Sequence, residues 1–179
     1  MHLSPSELLD RLTALGISHE THEHEAVFTV AESKNVKETI PGSHSKNLFL
    51  KDKKSRLFLV VAAHDTDIDL KRLHDTLGAS GRLSFGSAEQ LRAILGVEPG
   101  SVTPFAAIND RGSEVTVILD QRLADAERVN FHPLVNTMTT GLAPDDLLAF
   151  LRSTGHEARI CRLPAPRDIC AAEPAIPSS

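Results

Sequence analysis

KNLFLKD (46–52), KKS (53–55) and RLFLVVAAH (56–64) follow one another without a break. The first run alternates, with Asn47, Phe49 and Lys51 on one face and Leu48 and Leu50 on the other, as a half-buried strand requires. The last run is almost continuously apolar and rich in branched residues, the pattern of a strand covered on both faces. Three polar residues between them are hairpin length. The two runs are therefore expected to form the centre of a sheet.

Upstream, Ser4, Pro5 and Glu7 read as an N-cap, a proline at the first helical position and a capping box. Leu8, Leu9, Leu12 and Leu15 then recur at helical spacing until Gly16, and a short strand is expected over 17–22. The segment AVFTVAESKNV (26–36) has room for a helical turn or two. Downstream, DLKRLHDTL (69–77) and SAEQLRAIL (87–95) each combine an N-cap candidate with a closing glycine and predict two short helices. Strands are expected over 103–108, 115–119, 136–140 and 158–163, and PDDLLAFLRS (144–153) predicts an amphipathic helix. Four of the ten prolines fall in the last 16 residues, so 164–179 is expected to be a mobile tail on a single domain, 1–163.

The chain has 179 residues, 41% of them hydrophobic, enough for one sizeable core. It contains no run of about 18 apolar residues and no signal-peptide pattern at its start, so the expectation is a cytoplasmic protein with no membrane partner. The formal charge of −5 speaks against nonspecific binding of DNA, yet between Lys34 and Arg56 seven basic residues face only Glu38 and Asp52. With no Trp, no Tyr and seven Phe, the chain lacks the aromatic surplus of a single-strand stacking protein. Any nucleic acid would meet a localised basic edge.

Several familiar constellations fail on inspection. In His22-Glu23-His24-Glu25 the two histidines share a strand face, but no third ligand stands at a metal-site spacing. Asp65-Thr66-Asp67-Ile68-Asp69 opens like a calcium loop, but Leu70 stands where glycine is needed and Thr76 where a bidentate Glu is needed. A helix cap is the simpler role for Asp67 or Asp69. GSHSK (42–46) lacks the spacing of a phosphate-binding loop, and Cys161 and Cys170 are two isolated thiols.

What remains is the combination SHSKNLFLKDKK (43–54), GSVTPFAAIND (100–110) and FHPLVN (131–136). In this order and spacing the chain, over 3–163, closely resembles the bacterial YbaK/ProX-type prolyl-tRNA editing proteins, aminoacyl-tRNA deacylases related to the insertion domain of prolyl-tRNA synthetase. The resemblance implies a mixed α/β fold with a curved, largely antiparallel sheet flanked by helices. It implies hydrolysis of the ester of mischarged proline tRNA. Lys46 corresponds to the lysine that the family requires, Gly100 through Pro104 to its glycine loop, and His132 to its loop histidine. Asn47, Ser101 and Pro104 are then substrate-binding candidates, with Phe28, Val30 and Leu48 as apolar walls. Lys51, Lys53, Lys54 and Arg82 are candidates to hold the tRNA. No metal or other cofactor is implied.

The chemistry suits these residues. An activated ester beside a phosphate needs positioned water and charge stabilisation more than a strong nucleophile. The Lys46 ammonium would bind the phosphate or polarise the ester, and loop N–H groups would donate to the oxyanion. The branch of the family that the motifs resemble most closely clears alanine from proline tRNA. The cysteine-clearing branch and a non-catalytic module that binds tRNA or a synthetase stay open alternatives, and prolyl-tRNA synthetase is a further expected partner.

Overall fold

The computed structural model describes residues 2–26 and 30–166, with 30–33 described by their backbone. The two central runs form β2 (Ser43–Lys51) and β3 (Leu57–Ala63), an antiparallel hairpin in which Ser45 pairs with Ala63 and Lys51 with Leu57. All seven residues of β3 are buried, as its unbroken apolar sequence requires.

Around this hairpin stand β1 (His19–Glu23), β4 (Ser84–Phe85), β5 (Val115–Asp120), β6 (Val129–Phe131), β7 (Met138–Leu142) and β8 (Arg159–Cys161). The strand order is β1-β7-β6-β2-β3-β5-β8, with β4 added to β2. Pairs β1·β7, β6·β7, β2·β3 and β2·β4 are antiparallel, while β2·β6, β3·β5 and β5·β8 are parallel. The protein is thus a mixed α/β fold whose sheet is flanked by helices.

Alternation along β2 and β3 divides the core. One face carries Phe49, Leu59 and Val61 against Leu8 and Leu12 of α1 (Pro5–Ala14) and an edge-to-face aromatic set. In that set the Phe105 ring lies 5.8 Å from Phe131 and 5.5 Å from Phe150 of α6 (Pro144–Ser153). The other face carries Leu50, Phe58, Val60 and Ile118 against Leu73 and Leu77 of α3 (Leu70–Leu77). The caps read from the sequence are present: Ser4 accepts from the Glu7 N–H, Asp69 accepts from the Lys71 N–H, and Gly78 closes α3 at φ +66°.

The structure corrects several expectations. Residues 103–108 are not a strand: Pro104–Asn109 is a 3-10 helix, started by Thr103, whose hydroxyl accepts from the Phe105 N–H, and by Pro104 in its first turn. It is almost wholly buried, and an apolar run covered all round has no periodicity to reveal it. The helix expected at 87–95 begins as a short turn, α4 (Ala88–Gln90), and widens into a π-helix, Leu91–Leu95. The turn or two expected near 26–36 is instead a ten-residue helix, α2 (Val30–Thr39). Strands β4 and β6 were not expected, being two and three residues long, and the short α5 (Gln121–Ala124) follows β5.

The Pro164 carbonyl accepts from the Asp69 N–H at 2.7 Å, which ties the start of the expected tail to α3. Residues 167–179 lie outside the described residues. Among the described residues no helix is long and apolar enough to cross a membrane.

Candidate active site

Strand β2 runs beside β6 for only two pairs, Ser43 with Val129 and His44 with Asn130. Beyond them β2 departs, and the chain after Phe131 loops round to β7. The gap holds a pocket of about 60 Å³, walled by Val36 and Lys37 of α2, His44 and Asn47 of β2, and His132 and Thr139 of the β6–β7 arm.

Two imidazoles, the buried His44 and the half-buried His132, set its electrostatics. His132 donates from Nδ1 to the Met138 carbonyl at 2.9 Å, which leaves Nε2 as the acceptor. Burial pushes the His132 pKa down; the Met138 bond opposes this and nearby His24 reinforces it. The His24 ring stands 6.2 Å away and is fixed by Thr139, whose Oγ1 lies 2.8 Å from its Nε2. His44 donates from Nε2 to the Ile40 carbonyl at 2.9 Å. Its pKa is also lowered by burial, against that bond, with smaller contributions from His64, Lys37 and His132. At neutral pH the pocket therefore presents neutral rings with lone pairs.

Asn47 donates from Nδ2 to Ser45 Oγ at 3.3 Å, but its Oδ1 is buried without a partner among the described residues. Asn130 is similar: its Nδ2 donates to the carbonyls of Pro41 and Ser43, while its Oδ1 has no partner among the described residues. A buried amide oxygen without a donor costs about 1–3 kcal/mol, and such atoms persist where a ligand can supply the donor.

Lys46 lies on the opposite face of β2 from Asn47, in register with Ala62, and is half-buried. It stands close enough to Lys37 to depress that ammonium's pKa; burial is the larger cause, and Asp65 opposes both. Two cations without a short ion pair among the described residues form a place for an anion.

The other sequence candidates separate into groups. Gly100 and Ser101 line a neighbouring groove of about 510 Å³, facing Val135 and Asn136 of the β6–β7 connection, rather than the pocket beside β2. Pro104 is buried at the start of its 3-10 helix, and Leu48 packs at the margin of the α3-side core. Lys51, Lys53, Lys54 and Arg82 gather at the far end of β2. There Asp52, whose side chain has no exposed surface, accepts from the N–H groups of Lys54, Arg56 and Ser80 and from the Arg56 guanidinium. Burial pushes its pKa up, but these bonds outweigh it and hold the carboxyl at about 2. Phe28 lies outside the described residues, and Val30 is described only as the first residue of α2.

The sequence reading missed Lys37, His44, Asn130 and Thr139, and treated His24 only as a potential metal ligand. In the GSHSK segment (42–46) His44 stands two residues before Lys46, and that proximity is its signal in the sequence. Among the described residues no group of three or more His, Cys, Asp or Glu side chains is placed to hold a metal.

Comparison with known proteins identifies the family. The aminoacyl-tRNA editing domain model matches residues 24–150. Prolyl-tRNA synthetase associated domain-containing protein 1 of Bos taurus is 43% identical over 154 residues, 84% of this chain and 90% of that protein. The prolyl-tRNA editing protein ProX of Acetoanaerobium sticklandii is 35% identical over 157 residues, 87% of this chain and 95% of that protein. A crystal structure described as that of a candidate trans-editing enzyme for prolyl tRNA synthetase superposes with a TM-score of 0.66 at 20% identity, covering 90% of this chain and 99% of the other, which speaks to the fold. The chain belongs to the aminoacyl-tRNA editing domain family.

Proposed function

We propose that this protein is a trans-acting aminoacyl-tRNA deacylase that hydrolyses alanyl-tRNA(Pro). The observation that carries the reading is the pocket between β2 and the β6–β7 arm. It joins a neutral His132 whose Nε2 is left as an acceptor, an Asn47 oxygen unpaired among the described residues and the Lys37 ammonium, with the Lys46 ammonium close to Lys37 on the other face of β2.

In this mechanism the cations take the phosphate of the terminal nucleotide, and Lys46 polarises the ester. His132 Nε2 orients a water and accepts its proton as the water oxygen bonds to the ester carbon. The oxyanion collapses, the bond to the ribose oxygen breaks, and the proton passes to that oxygen to leave free alanine and tRNA. The Asn47 amide oxygen is suited to the substrate's α-ammonium. Gly100 and Ser101 are proposed to form the neighbouring wall of the substrate cleft. Lys51, Lys53, Lys54 and Arg82 are proposed to hold the acceptor stem, and prolyl-tRNA synthetase is the proposed source of the mischarged tRNA.

A pocket of about 60 Å³ favours a methyl side chain over a pyrrolidine ring. Cysteine differs less, because a cavity of one shape discriminates side chains of similar size by only about 1–3 kcal/mol. The test is deacylation of proline tRNA charged in parallel with alanine, cysteine or proline. Rapid loss of alanine, with proline retained, is expected. Preferential loss of cysteine would move the protein to the cysteine-clearing branch, and tRNA binding without hydrolysis of any ester would make it a binding module.

A further inference from the structure

Phe85 is 60% exposed, the most exposed large apolar side chain among the described residues. Its position is imposed by the fold. Gly86 lies directly on the Phe49 ring, where a Cβ would come within 2.5 Å, and its N–H donates to the Phe49 carbonyl at 2.9 Å. With Gly86 turned to that face, alternation sends Phe85 to the other, opposite Leu50.

Lys46, Leu48 and Leu50 occupy that same face of β2; Leu50 is buried in the α3-side core, and Phe85 at the strand edge stands about 13 Å along β2 from Lys46 at ~3.3 Å per residue. Cations stand around the aromatic end: the Lys53 methylenes cover Gly81 beside Arg82, while Lys51, paired with Ser84, lies on the reverse face of the same strand end. The acid within this group, Asp52, is buried and bonded to Arg56. A ring held out to solvent beside positive charge matches an unpaired base with its phosphates.

Building on the deacylase reading, we infer that Phe85 is a stacking platform for an unpaired base of the tRNA 3′ tail. The aminoacyl end lies at Lys46 and the acceptor stem lies beyond, against Lys51, Lys53 and Arg82.

The absence of Trp and Tyr makes a direct test available, since Phe85→Trp introduces a single indole. The probes are an acceptor-stem hairpin RNA with an unpaired CCA end and the same hairpin with a blunt end, their binding followed independently by anisotropy of an end label. Quenching of the indole by the CCA hairpin and not by the bound blunt hairpin is expected. Phe85→Ala is expected to raise KM for alanyl-tRNA(Pro) by about five-fold or more, and Phe85→Trp to restore it. Saturating binding without quenching, equal quenching by both hairpins, or a wild-type KM for Phe85→Ala would overturn the inference while leaving the deacylase reading intact. Concentration-dependent self-association through the indole would assign Phe85 to a second copy of the chain and also overturn it. A wild-type protein that neither binds nor hydrolyses the charged tRNA would overturn both.

Discussion

The two ends of β2 are built on opposite principles. At the 51–56 turn one buried carboxylate, Asp52, is saturated: it gathers three backbone N–H groups and a guanidinium, and lysines stand on the frame that results. At the 44–47 end the demands are left open, with unpaired amide oxygens on Asn47 and Asn130, imidazoles kept neutral by burial, and two neighbouring ammonium groups. One strand thus carries a saturated end and an unsatisfied end, which the proposed function assigns to gripping and to chemistry. The difference shows that a site is recognised by what its surroundings fail to satisfy as much as by its residue types.

Apart from Lys46, the largest effect is expected at His132. Replacing it with Ala is expected to lower kcat for alanyl-tRNA(Pro) by about 10²-fold, with little change in tRNA binding. Because burial depresses its pKa, the acid limb of kcat/KM in the wild type should lie below the ordinary imidazole value of 6.5, and it should vanish in the variant. A limb above that value would contradict the assignment.

Next in size is the saturated end. Neutralising Lys51, Lys53 and Lys54 together is expected to weaken tRNA binding about ten-fold at moderate salt, and to reduce the slope of log affinity against log salt by about 2 to 3. The single-turnover rate at saturating protein should stay near that of the wild type. An unchanged salt slope would remove this edge from the docking surface.

The smallest effect on turnover is expected at Asp52, where the consequence is stability. Its folded pKa of about 2 lies below the ordinary carboxylate value of 3.8. Its contribution is therefore complete above pH 4 and is lost as pH falls through 2. Melting temperatures measured between pH 4 and pH 2 should fall more steeply for the wild type than for Asp52→Asn, and parallel curves would contradict the clamp.

Legibility in the sequence followed the same division. The β2–β3 hairpin, α3 and α6 were visible because alternation, helical spacing and caps are local signals. The pocket was less so, because Lys37, His44, Asn47, His132 and Thr139 come from three separate stretches of chain and meet through a β6 strand too short to leave a periodic trace. Pro104–Asn109 misled for a physical reason: burial on all sides erases the polar positions that distinguish a helix from a strand. The family resemblance pointed to Lys46, Asn47 and His132. Packing supplied what it could not, the tautomer of His132 and the second cation at Lys37.

The most direct test of the central claim, that chemistry resides at the unsatisfied end of β2, is single-turnover hydrolysis of alanyl-tRNA(Pro) by the wild type and by Lys46→Ala with protein in excess. A loss of about 10³-fold in the variant, with an unchanged melting temperature, is expected. A variant that folds normally and releases alanine at the wild-type rate would contradict the claim.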